Sequence, residues 1–263
     1  MFDINAKTKQ FEKDLIPILK KIKKDIDLSL ANFNIKNGKF TYDKFSDVQL
    51  MKFNESFISS LKYSGYNKLV GKYLGKSRKY LTDRIKGLKT SFPELAEFNV
   101  KNLDSIVEIN AGEFSLVGQD VAAKLQTRLA NQLINGESLK DSTIILSGLL
   151  DPSLVRYSST WLKTSYQRYI QGSEDALSKE LGFGSSKDDV WEYVGAPLQK
   201  NSHSECVWAL QTRRDSIFTT KEKKAFQNGT AYSSQPAPPR YSCQHYFIIS
   251  SKSLQELAKD VNY

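Results

Sequence analysis

Apolar residues return every three or four positions along most of this chain, the spacing that lines one side of an α-helix. Phe11, Leu15, Ile18, Leu19, Ile22 and Ile26 predict a first helix over roughly residues 8–31. Pro17 lies inside that stripe and donates no backbone hydrogen bond, so the helix is expected to begin near it or to bend there. After a turn at Asn37-Gly38, Phe45, Val48, Leu50, Phe53, Phe57, Ile58 and Leu61 give a second stripe from Tyr42 to about Ser64, broken at Gly65. Leu69, Tyr73, Leu74, Leu81, Ile85 and Leu88 give a third, weakened by glycines at 71, 75 and 87. Phe92-Pro93-Glu94 opens a further element. Residues 103–134 then carry the strongest candidate for a long core helix, through Leu103, Ile106, Val107, Phe114, Val117, Val121, Leu125, Leu129 and Leu133. Asn135-Gly136 should end it. A shorter helix is expected from Ser138 to a cap near Gly148, and another from Asp151-Pro152 through Tyr157, Trp161, Leu162, Tyr166, Tyr169 and Ile170.

The texture changes after Gly182-Phe183-Gly184-Ser185-Ser186. Trp191-Glu192-Tyr193-Val194 alternates with period two and predicts a strand, as does Tyr246-Phe247-Ile248-Ile249. Thr219-Thr220-Lys221-Glu222 has the polar-to-acidic spacing of a helix start, and a short helix over Leu254 to Val261 closes the pattern. The expected fold is mainly α with a small C-terminal α+β domain on an elongated helical body. Its parts are a basic helical region over 1–90, a helical core region over 91–184, and a small Cys/His-containing domain over 188–263. Trp191, Tyr193, Phe218, Tyr246, Phe247 and Ile248 are the expected core of that last domain.

With 40% apolar residues in 263, a folded core is expected rather than global disorder. No apolar run approaches the eighteen or so residues of a transmembrane helix. The first residues lack a basic segment followed by an apolar one, which leads us to expect synthesis and assembly in a cytoplasm. The net charge of +9 is uneven: residues 1–90 hold 20 Lys/Arg against 9 Asp/Glu, residues 91–263 hold 18 against 20. A positive first third can face solvent, a nucleic acid or an acidic protein surface. The contact candidates are Lys20, Lys21, Lys23, Lys24, Lys72, Lys76, Arg78, Lys79 and Arg84.

Two cysteines and two histidines sit close in sequence: His203 and Cys206, then Cys243 and His245. Together they could supply two nitrogens and two sulfurs to tetrahedral zinc, although Cys-x-His is shorter than the usual ligand spacing. A disulfide across the 37 positions from Cys206 to Cys243, and two reduced thiols, are the other readings. No G-x-S-x-G, H-E-x-x-H or phosphate-loop sequence is present, so no catalytic residue is assigned. A Cys206 nucleophile with His203 or His245 as its base is a minor alternative.

The order Trp191-Glu192-Tyr193-Val194-Gly195, Cys206, Ile217-Phe218-Thr219-Thr220-Lys221-Glu222 and Pro238-Pro239-Arg240-Tyr241-Ser242-Cys243-Gln244-His245 resembles the C-terminal region of phage Mu F-like minor head proteins. That family shows an aromatic-Gly opening, a cysteine, an Ile/Val-Phe-Thr piece with a glutamate soon after, and a closing Asn-Cys-Arg-Cys or Asn-Cys-Arg-His before a strand. The resemblance covers about 60 of the residues. Here Ser202-His203 stands where the family often has Thr-Arg, and Ser242 and Gln244 stand where Asn and Arg are usual. Losing that arginine removes a rigid, bidentate donor. The resemblance implies a non-enzymatic structural protein of a tailed-phage head, present in few copies near the portal, acting in head assembly or genome delivery. Its implied partners are portal and other head proteins and packaged double-stranded DNA. The competing readings are a nucleic-acid-binding module using the basic first third and, further off, an RNase-like toxin enzyme.

Overall fold

In the computed structural model the description covers residues 2–183, 189–195, 204–212, 216–228, 245–250 and 253, with backbone alone at 102, 105–107, 109, 110 and 212. The chain is mainly helical, with a small strand-containing region toward its C-terminus. The long helices are α1 (Ile4–Leu30), α2 (Ser46–Tyr63), α3 (Tyr66–Lys89), α4 (Asp104–Ile134) and α5 (Leu139–Glu180). A hairpin of β1 (Ile35–Lys36) and β2 (Lys39–Phe40) separates α1 from α2. It turns on Asn37 and Gly38, whose φ of 51° and 74° are the left-handed values a two-residue hairpin turn needs. Two short 3-10 turns, Pro93–Glu97 and Val100–Leu103, link α3 to α4.

Two helices run further than the sequence suggests. α1 continues through Pro17, and α5 is one helix of 42 residues through Gly148 and Pro152, where two separate helices were expected. The reason lies in where the prolines point. Both are exposed, so the Lys13 and Gly148 carbonyls that lose a donor can be satisfied by water. Meanwhile Leu146, Leu150 and Leu154 keep one buried stripe across the Pro152 break.

The chain forms two compact units. One takes residues Thr8–Tyr73 and Asn110–Trp161. Within it α2 approaches α4 closely at Gly118: a Cβ there would lie 2.7 Å from Leu61 Cδ1. Asn54 also donates to Gln126 Oε1 at 2.7 Å across the same pair. α1 is tied to α2 through Ser29 and Ser56 (3.1 Å) and to α5 through Lys23 and Asp151 (2.5 Å). The hairpin is anchored to the α4–α5 turn by Phe40 N donating to the Glu137 carbonyl and Leu139 N to the Gly38 carbonyl.

The other unit takes Met1–Lys7, Leu74–Ile109 and Leu162–Tyr263. One of its apolar clusters joins Leu81 and Ile85 of α3 to Phe92, Leu95 and Leu103 of the linking turns and to Tyr169 and Leu177 of α5. A second surrounds a three-stranded antiparallel sheet of β3 (Val190–Gly195), β4 (Ile217–Thr219) and β5 (His245–Ile249), in the order β4-β3-β5. Between β3 and β4 lie α6 (Ser204–Val207) and a π-helical turn, Trp208–Thr212, and α7 (Thr220–Gln227) follows β4 directly. The short helix expected over Leu254 to Val261 lies outside the described residues.

Candidate functional site

The C-terminal sheet brings the residues of most chemical interest together, and Tyr193 stands at its centre. On β3, Trp191 and Tyr193 face the cluster formed with Phe183, Ala209, Phe218, Phe226, Phe247 and Ile249. Period two assigns Phe247 and Ile249 to this face of β5 and Tyr246 and Ile248 to the other, so the last two, expected in the core, do not join this cluster. Tyr246 is still buried, and burial raises its phenol well above the ordinary range. The Tyr193 ring lies 4.9 Å from Phe247, 5.2 Å from Phe226 and 6.2 Å from Phe218, tilted or edge-on, the arrangements aromatic quadrupoles favour.

Cys206 and His245 both reach Tyr193. His245 is buried and stacks on its ring at 5.6 Å, and the buried Cys206 Sγ is 3.7 Å from its hydroxyl oxygen. The two described members of the Cys/His set thus share Tyr193 as a neighbour, and the other members, His203 and Cys243, lie outside the described residues. Among the described residues no three His, Cys, Asp or Glu side chains are placed to hold one metal ion.

β4 passes into α7 through a capping box: Glu222 N donates to Thr219 Oγ1, and Thr219 N donates to Glu222 Oε2 at 2.8 Å. β5 is an edge strand whose outer backbone groups meet a polar row on α5. Gln167 donates to the His245 carbonyl, and Gln171 accepts from Phe247 N, each at 3.2 Å, while Glu174 accepts from Ile249 N. Residues 167, 171 and 174 repeat at helical spacing and meet every second residue of the strand, which closes an edge otherwise open to further pairing. Glu174 is buried and also receives Arg84 at 3.0 Å; burial raises its carboxyl, and Arg84 opposes that shift.

The basic candidates divide into two kinds. Lys23 pairs with Asp151, Lys72 with Asp14, Arg78 with Asp104, Lys79 with Asp83 and Arg84 with Glu174. Of these pairs Arg84–Glu174 is largely buried, Lys79–Asp83 lies at the surface one helical turn apart and Lys72 is exposed, and Lys76 is partly buried. Among the described residues Lys20, Lys21 and Lys24 are exposed and make no ion pair. Lys9 and Lys13, which sequence reasoning missed, share the exposed face of α1 with Lys20 and Lys24, because 9, 13, 20 and 24 are separated by whole helical turns. The signal was the 3.6-residue period itself, applied to charges rather than to apolar residues.

No family model, curated protein or solved structure matches the chain. No helix of the described residues is long and apolar enough to cross a membrane.

Proposed function

We propose that the chain is a minor structural protein of a tailed-phage head, associated with the portal and acting in head assembly or genome delivery. The observation that carries this reading is a convergence in the C-terminal region. Three of the segments that resemble Mu F-like head proteins correspond to the three strands of one sheet: Trp191–Gly195 in β3, Ile217–Thr219 in β4 with its capped helix, and His245 at the start of β5. Trp191, Tyr193 and Phe218 of the pattern join the aromatic cluster, and its Thr219 and Glu222 form the helix cap. The pattern therefore has a packing logic. Co-expression of the chain with the portal and shell proteins of the phage that encodes it tests the proposal. The chain should sediment with assembled heads and fail to do so when the portal is omitted; sedimentation at the position of free protein in both cases contradicts it.

The second reading, a nucleic-acid contact through the first third, is favoured by the unpaired lysine row on α1. In this reading Lys20, Lys21 and Lys24 neutralise backbone phosphates. Their replacement by glutamine should make the slope of log affinity for double-stranded DNA against log salt shallower by roughly 2–3. An unchanged slope assigns these lysines to solvent.

A further inference from the structure

Between the last turns of α5, the start of β3 and α7 lies a cavity of about 480 Å³, within the range of small-molecule sites. Phe183 and Trp191 supply its apolar wall, and the two rings pack edge to face at 5.2 Å. Lys223, on α7, points its ammonium at this wall: Nζ lies 3.3 Å from the Trp191 ring centroid, and its side chain is only 8% exposed. Lys179 and Lys224 stand exposed around the same cavity.

We propose that this cavity binds a small organic anion with a flat apolar body, of the aromatic carboxylate class, its negative head on Lys223 and its body against Phe183 and Trp191. The cation fixes the sign of the ligand. Lys223 donates to Asp175 Oδ1 at 2.8 Å and lies on the indole face, which leaves one of three N–H directions for a further acceptor. Asp175 is a loose partner: its side chain is 53% exposed, and Oδ1 also accepts from Gln171 at 3.1 Å. Burial lowers the Lys223 ammonium from its ordinary value; Asp175, by its hydrogen bond and its charge, and Glu174, by its charge, oppose the shift, and a ligand carboxylate on the remaining N–H direction would add to that opposition. The fold holds the indole for this arrangement, since Trp191 Nε1 donates to Thr220 Oγ1 at 3.0 Å in the first turn of α7. An uncharged ligand would gain at most an ordinary hydrogen bond from Lys179, Lys223 and Lys224, and a cationic one would be repelled.

Isothermal titration of the full chain with 2-naphthoate, and with uncharged 2-naphthalenemethanol as control, tests the site. Naphthoate should bind saturably and at least about tenfold more tightly than the alcohol. Asp175→Asn, which removes the competing carboxylate, should tighten naphthoate binding several-fold. Lys223→Met should abolish it while leaving the helical circular dichroism intact. If that variant does not fold, the exposed pair Lys179→Gln/Lys224→Gln should weaken binding instead. Equal affinity for acid and alcohol, absence of saturable binding, or an Asp175→Asn protein no tighter than wild type overturns the proposal.

Discussion

At Asp14 three donors meet one carboxylate: Gln10 at 2.8 Å on Oδ1, and Tyr73 at 2.9 Å and Lys72 at 3.1 Å on Oδ2. These bonds, led by that from Gln10, hold the carboxyl at about 2 against an ordinary 3.8. A depressed folded-state value means that the native state prefers the ionised form. Its contribution is therefore complete above about pH 4 and is lost as pH falls toward 2. With the side chain partly exposed, solvent screening leaves on the order of 1 kcal/mol. Urea unfolding of Asp14→Asn should show that deficit at pH 6 and close the gap with wild type near pH 2; a gap that persists there contradicts the assignment. Two glycines give a second contrast at this scale. A Cβ at Gly71 meets nothing within 4 Å, whereas one at Gly118 meets the buried Leu61 at 2.7 Å. Gly71→Ala should therefore raise stability by about 0.5–1 kcal/mol, while Gly118→Ala should lower it by about 1 kcal/mol as overpacking outweighs the gain in helix propensity. Equal effects on the thermal midpoint would mean that α2 and α4 do not approach as described.

Local pattern reached most of the elements, and its failures have identifiable causes. Stripes such as Phe11 to Ile26 and Val117 to Leu133 were legible because burial on one side imposes their period. α5 was read as two helices because Gly148 and Pro152 are breakers in isolation, and only their exposure shows why the helix continues through them. β4 went unassigned as a strand: three residues carry too little alternation, and its existence depends on pairing with Glu192, Trp191 and Val190. The Gln167, Gln171 and Glu174 row was invisible for a similar reason, since its partners are backbone groups some 75 to 78 positions away. That row makes a prediction of its own. Gln171→Ala should cost about 1 kcal/mol and speed hydrogen exchange at the Phe247 amide, with little change at amides of α2. Protection of Phe247 unchanged from wild type would show that the β5 edge is held without α5. The α7 cap is a second test: Thr219→Ala should lower stability by about 1 kcal/mol, as loss of an N-cap does. A variant as stable as wild type would remove the capping box from the account.

Over the whole molecule, two compact units are each assembled from separated stretches of chain, with breaks inside α1, α3, α4 and α5. A sequence read from end to end offers boundaries at its turns and glycines, and breaks inside helices leave no such mark. The Cys/His set stands out in sequence by its spacing, but spacing could not anticipate Tyr193 as the shared neighbour of Cys206 and His245. The proposed role rests on two parts: a small aromatic sheet whose strands coincide with the segments that resemble Mu F-like head proteins, and an exposed lysine row on α1. Quantitative mass spectrometry of heads purified from the phage that, on this proposal, encodes the chain measures this role most directly. The account predicts the chain at a small, reproducible fraction of the shell protein, retained after nuclease treatment and a high-salt wash. Heads that lack it, or that lose it entirely with the DNA, would contradict a structural place in the head.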